Sequence, residues 1–192
     1  MLAGVPEGSV DRTLVELAQG GDRDAFAALL RAMGDQMYAV AFRVLRDPDL
    51  AQDAYQEAMI SAWRQLPFLR DPESFEGWVR RILVHACYAE SRKRTRWTTN
   101  VRVLDLNEEV EGESGHAIHD REQLELAFRD LTVEQRAIVV LHHHLGLPLV
   151  EIASTLGIPA GTVRSRLHYA TQTLRRALAT GEALGAPKER LA

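Results

Sequence analysis

From Leu14 to about Thr95 the apolar residues recur at helical spacing, and this period limits what the chain can become. Phe26, Leu29, Leu30, Met33 and Met37 fall three and four residues apart, and Tyr38, Phe42 and Leu45 continue the stripe. Arg46-Asp47-Pro48 stops it, because proline cannot continue a helix and restricts the residue before it. Thr13-Leu14-Val15-Glu16 reads as a capping box, with Thr13 at the cap and Glu16 reaching back to its amide. Asp22 and Asp24 suit the start of the second helix. A third helix is expected from near Asp49 through Trp63, then a loop from Leu66 to Ser74 carrying Pro67 and Pro72. A fourth is expected from Phe75 to Arg94, with Trp78, Ile82, Cys87 and Tyr88 inward.

The pattern dissolves between Trp97 and about Ile118. Six acids fall there or just beyond (Asp105, Glu108, Glu109, Glu111, Glu113 and Asp120), against the single base Arg102. Such a stretch solvates itself and predicts a flexible acidic linker. Helices are expected again from near Asp120. Thr132-Val133-Glu134-Gln135 is a second capping box, Gly146-Leu147-Pro148 breaks the following helix, and Leu149 to Leu156 is a short one. Gly157-Ile158-Pro159 reads as a tight turn before a longer helix from Ala160 to about Leu178. Ala137 to Leu141 is apolar and β-branched, but short and flanked by helix signals, so no strand is assigned. The expected fold is all-α: two small helical domains, 12–96 and 121–180, joined by a linker over 97–120 and followed by a short tail, 181–192.

Composition excludes several classes. The 192 residues are 46% hydrophobic and 26% charged, which rules out wholesale disorder. No window reaches the ~18 apolar residues of a membrane span, and Met1 to Gly8 lacks an export-signal pattern, so a cytoplasmic protein without membrane insertion is expected. Cys87 is the one cysteine, which excludes an intrachain disulfide and a thiolate zinc cluster; it reads as a buried thiol. His142-His143-His144 cannot ligate one ion from a helix, because consecutive side chains point apart. No phosphate loop, nucleophile elbow or paired catalytic carboxylates appear, so neither an enzyme nor a cofactor is expected. The net charge of −4 hides two basic ends around an acidic middle. Arg92-Lys93-Arg94-Thr95-Arg96 precedes the acidic stretch, and no acid lies between Glu151 and Glu182, where Arg164, Arg166, Arg175 and Arg176 fall.

Leu149 to Leu167 fits a helix-turn-helix. Ala153 is small where two helices cross, Gly157 follows where the turn needs a positive φ, and Ile152, Leu156, Ile158, Val163 and Leu167 supply a small core. Thr162, Arg164, Ser165, Arg166 and His168 then project from the early turns of the second helix, the part that enters the major groove in this motif. In the first half, Asp53, Gln56 and Glu57 lie at i, i+3 and i+4 and share a helical face. Ala54, Ala58, Ala62 and the Met59/Ile60 pair are expected to pack. The basic helix from Phe75 to Arg94, after a proline-bearing loop, suits single-stranded or melted DNA, with Phe75 and Trp78 read as core.

In order and spacing these elements resemble a sigma factor of the extracytoplasmic-function group, within the sigma-70 family of bacterial RNA polymerase initiation factors. The stretches that carry the resemblance are Asp53-Ala-Tyr-Gln-Glu…Ala-Trp63, Phe75-x-x-Trp78-x-x-x-Ile82, Leu131-Thr-x-x-Gln-Arg136 and Glu151-Ile-Ala…Leu156-Gly-Ile…Gly161-Thr-Val-Arg-Ser-Arg-Leu167. They span about residues 12 to 178. The resemblance implies a region 2-like four-helix domain and a region 4-like helix-turn-helix domain. It implies that Asp53, Gln56 and Glu57 dock on the β′ clamp helices of core polymerase, with the β flap as a further contact. It also implies that the loop from Pro67 to Ser74, with Leu69 and Arg70, and the helix bearing Arg81, His85, Arg92 and Lys93 capture the −10 strand, including a flipped base. Thr162, Val163, Arg164, Ser165, Arg166 and His168 match the helix that reads the −35 duplex, and an anti-sigma factor is the implied regulator. His85 and Ala89 depart from the Asn and Asp common in the family. The alternatives are a stand-alone helix-turn-helix regulator using residues 122–178, which leaves the Asp53-to-Trp63 and Phe75-to-Arg94 patterns unexplained, or a protein-interaction module whose helical face sequesters a partner.

Overall fold

The computed structural model describes the backbone of residues 11–100 and 126–185, and the side chains of 11–96 and 126–178. The chain divides into two compact units, the first ending at Ser91 and the second beginning at Arg92. Of the expected linker over 97–120, residues 101–120 lie outside the described residues.

The first unit contains α1 (Arg12–Gln19), α2 (Arg23–Leu45), α3 (Pro48–Gln65), two short 3₁₀ turns (Leu66–Phe68 and Pro72–Ser74) and most of α4 (Phe75–Asn100). Aspartates start these elements. Asp22 accepts hydrogen bonds from the Asp24 and Ala25 amides at 2.9 and 3.0 Å, and Asp47 accepts from Asp49 and Leu50 at 3.0 Å each. The first cap differs from expectation. Asp11, not Thr13, is the N-cap and takes the Thr13 amide at 2.8 Å. Thr13 is therefore already inside the helix, and Glu16 pairs with Arg12 at 2.7 Å instead of reaching back. At the far end of α2, Arg46 takes the left-handed conformation (φ 60°), donates its amide to the Phe42 carbonyl at 2.7 Å, and lays its guanidinium over the Phe42 ring. α4 runs to Asn100, past the point where the linker was expected to begin.

The core explains why α3 lies close on α2. Ala51, Ala54, Ala58 and Ala62 are all fully buried, and this row of small side chains lets two helix backbones approach. Leu29, Met37, Val40 and Val44 of α2 fill the remaining space, with Val15, Leu66, Phe75, Val79 and Leu83. The buried side of α4 is thus Phe75, Val79, Leu83, Val84, Ala86 and Cys87, whereas Trp78, Ile82 and Tyr88 are only half-buried at its edges. Phe75 matches the core reading; Trp78 meets it in part, its ring centroid 6.0 Å from that of Phe75.

The second unit contains helical residues 126–129, α5 (Val133–Val139), a π-helical turn (Val140–His144), α6 (Leu149–Leu156) and α7 (Ala160–Gly185). Thr132 and Gln135 form the expected capping box, with bonds of 3.2 and 2.9 Å. The π turn was not expected. It ends where Gly146 takes a positive φ of 68°, and the His142 Nδ1 lies 3.0 Å from the Leu147 carbonyl, so one histidine of the run bonds across the turn that ends the helix. Leu131, Val139 and Ala170 form a buried cluster covered by Phe128, Leu167 and Leu174.

Candidate polymerase and promoter interfaces

On α3 the row of buried alanines fixes which residues face outward. Asp53, Gln56 and Glu57 are all exposed on the opposite side, with Ser61 Oγ donating to the Glu57 carboxylate at 3.4 Å. One expectation is corrected here. Met59 packs, but Ile60 is 46% exposed, because its place on the helix falls between Asp53 and Gln56 rather than with the alanines. The outward face is therefore acidic and polar around an apolar centre. That composition suits a protein partner better than DNA, since its carboxylates would repel phosphate.

Arg81, His85 and Arg92 are exposed on α4 and lie within about 40° of one another around its axis, opposite Val79, Leu83 and Ala86. Lys93 is also exposed, about a third of a turn away. The His85 ring stands edge-on to Tyr88 at 6.2 Å. In the loop before α4, Arg70 is exposed and Leu69 half-buried. The loop is held from α1: the Gln19 side-chain amide donates to the carbonyls of Leu66 and Leu69 at 3.3 and 2.7 Å. Sequence reading missed this brace, because the partners are separated by 47 and 50 residues and no periodic signal connects them. Cys87 lies on the inner side of the same helix, and burial pushes its thiol up to about 12.

In the second unit the turn between α6 and α7 aims the recognition helix. Gly157 has φ 66° and donates to Ser154 O at 3.3 Å, while Ile158 donates to Ala153 O at 3.1 Å, the bond pair of a Schellman cap. Pro159 O then accepts from Thr162 and Val163 at 2.9 and 3.1 Å and opens α7. Ile152, Leu156 and Val163 are buried between the helices, with Ile158 and Leu167 half-buried. Val163 is thereby corrected as a candidate DNA contact: it is fully buried, and its side chain anchors α7 instead of reaching out. Arg164, Ser165 and His168 are exposed, and Thr162 and Arg166 are half-buried. His168 is tethered to Gln172 at 3.1 Å. Tyr169 is 61% exposed on the same helix, its ring centroid 5.8 Å from that of His168.

Among the described residues no three His, Cys, Asp or Glu side chains are grouped to hold a metal ion, and no helix is long and apolar enough to cross a membrane. Residues 29–97 match the family model for sigma-70 region 2, and residues 121–178 match that for sigma-70 region 4. The chain is 33% identical to the RNA polymerase sigma-H factor of Pseudomonas aeruginosa over 183 residues, which covers 88% of this chain and 93% of that one. It is 32% identical to the ECF RNA polymerase sigma factor SigL of Mycobacterium tuberculosis over 166 residues, with 82% and 93% covered. Its fold resembles that of the sigma factor RpoE crystallised with the anti-sigma factor NepR from Bartonella quintana. There the TM-score is 0.67 and the identity 22%, with 80% of this chain and 96% of that one covered. A stand-alone helix-turn-helix regulator accounts for the second match and leaves the first without a role. With regions 2 and 4 both present in order, and with relatives aligned over nearly their whole length, the chain belongs to the extracytoplasmic-function group of the sigma-70 family of RNA polymerase sigma factors.

Proposed function

We propose that this sigma factor docks on the β′ clamp helices of core polymerase through Asp53, Gln56 and Glu57, with Ile60 as the apolar centre of the contact. The second unit meets the β flap and reads the −35 duplex with Arg164, Ser165, Arg166, His168 and Thr162. Base edges give sequence choice, and the arginines add salt-dependent phosphate affinity. Leu69, Arg70 and the α4 face of Arg81, His85 and Arg92, with Lys93 beside it, hold the −10 strand once it is unpaired. The protein performs no catalysis of its own and works in the cytoplasm, with the acidic stretch that follows α4 as a linker to the domain over 121–180. An anti-sigma factor keeps it from polymerase, a reading supported by the fold it shares with a sigma factor solved in such a complex.

The observation that carries this reading is the separation of chemistries. An acidic-polar face with an exposed isoleucine lies on α3, and a face carrying Arg164, Ser165 and His168 without an acid lies on α7. The test is co-purification with bacterial core polymerase, followed by run-off transcription on a genomic fragment library. Tight core binding with new promoter-specific transcripts is the expected result. Duplex binding without core affinity would overturn it.

A further inference from the structure

A surface groove of about 460 Å³ lies between α2 and α3 of the first unit. Leu30, Gly34, Asp35 and Tyr38 line it from α2, and Gln52 and Tyr55 from α3. Gly34 sits in the middle of a 23-residue helix, where glycine loses more backbone entropy than alanine. A β-carbon there would come 2.9 Å from the Tyr55 hydroxyl, so the bare backbone is what gives that end of the ring its place. The Tyr38 and Tyr55 rings are half-buried and stand edge to face, their centroids 6.3 Å apart. Among the described residues no hydrogen bond or ion pair engages the side chains of Asp35, Gln52 or either tyrosine. The Tyr55 proton is held above its ordinary range first by burial and then by the Asp35 carboxylate, which makes this end of the groove negative. Arg31 also lines the groove, about 10 Å along the α2 axis from Tyr38.

Two aromatic rings beside an unpaired carboxylate favour a cation over an anion. The groove also opens beside the acidic face of α3, because Gln52 precedes Asp53 and lies one turn from Gln56. A partner that complements Asp53 and Glu57 brings positive charge to this place. We propose that the groove is a socket for a cationic side chain of the polymerase clamp helix that covers α3, seated between Tyr38, Tyr55 and Asp35. This rests on the reading of α3 as the polymerase-docking face, and adds to it a wall from α2 and a mode of contact. Arg31 plays no attractive part in it, which sets the sign of the test.

The test measures binding of the full chain to bacterial core polymerase. Asp35→Asn and Tyr38→Leu are each expected to weaken it about tenfold, while Tyr38→Phe stays within about twofold, because the ring and not the hydroxyl holds the cation. Asp35 is exposed, so its substitution reads binding and not folding. The affinity of Asp35→Asn should also fall less steeply with salt than that of the wild type. Arg31→Ala should bind as tightly as the wild type or more so. Wild-type affinity in both Asp35→Asn and Tyr38→Leu overturns the socket. A loss in Arg31→Ala as large as that in Asp35→Asn overturns the charge assigned to the occupant. Asp53→Arg with Glu57→Arg separates the two levels. Loss there with Asp35→Asn unchanged removes the socket and leaves docking on α3 standing, whereas no loss in either removes both.

Discussion

The two units present their working surfaces by different means. In the first, the exposed candidate residues form stripes along helices of 18 and 26 residues, and their direction is set by the buried residues opposite them: four alanines on α3, and Val79, Leu83 and Ala86 on α4. Helix ends are held by aspartate caps, and a non-glycine residue, Arg46, is accepted in the left-handed conformation with its guanidinium over Phe42. In the second, α6 has only eight residues, and the direction of α7 depends on the turn at Gly157. A stripe tolerates a change at the helix end, because its direction comes from the whole buried face. A recognition helix aimed by a turn does not.

The largest expected effect tests the stripe. Asp53→Arg combined with Glu57→Arg reverses two exposed charges on the face around Ile60, and core polymerase affinity should fall by more than about 100-fold, as charge reversal at a complementary interface costs several kcal/mol. Binding of a −35 duplex should not change. A parallel loss of both would mean that the first unit had unfolded, which circular dichroism would report.

Next comes the turn. Gly157→Val places a β-branched residue at φ 66°, with a strain of about 1–3 kcal/mol. Binding to −35 DNA should drop with the stability of the second unit while core polymerase binding through α3 persists. Loss of core binding to the same degree would break the distinction between the two units. A third and smaller effect is local: Arg164→Ala should weaken −35 binding by about 1–3 kcal/mol if the guanidinium reads a guanine. A uniform loss across sequences, with the salt slope reduced by about one, would assign it to phosphate. Titrating binding against salt on matched and mismatched −35 duplexes decides between them.

Much of this was legible in the sequence because helices advertise themselves locally. The 3.6-residue period placed the exposed trio on α3, and Gly157 with Ala153 located the turn; Leu149–Leu156 was expected with the bounds it has. The failures have three causes. Thr13 lost the cap to Asp11 because the carboxylate two residues earlier accepts the Thr13 amide itself, so the helix has already begun there. Ile60 was grouped with Met59 by polarity, although adjacent residues point about 100° apart and only one of them can face the core. Val163 matched a DNA-reading segment by position, yet the helix phase that exposes Arg164 turns Val163 inward. The Gln19 brace and the π turn depend on groups brought together by folding, which no local pattern records.

The smallest effect separates the units by pH. Cys87 is buried in the first unit with its thiol pushed up to about 12, so the folded chain holds it neutral where an unfolded thiol would ionise. A raised folded value means that this stabilisation is complete below pH ~8.5–9 and is lost as pH rises from there toward 12. Tyr55, also in the first unit, is raised first by burial and then by Asp35, and acts in the same direction at higher pH. In the second unit, burial of Arg136 disfavours its charged form, and a lowered folded value makes stability rise with pH instead of falling. Alkaline weakening should therefore begin in the first unit, with a slope approaching about 1.4 kcal/mol per pH unit above pH ~9. Denaturant unfolding at pH 7, 9 and 10 measures it. Cys87→Ala should lower stability at pH 7 by leaving a small void, yet flatten the loss between pH 9 and 10. An unchanged slope in that variant would mean that the thiol is already ionisable in the folded protein, and that the inner side of α4 is wetter than its packing implies.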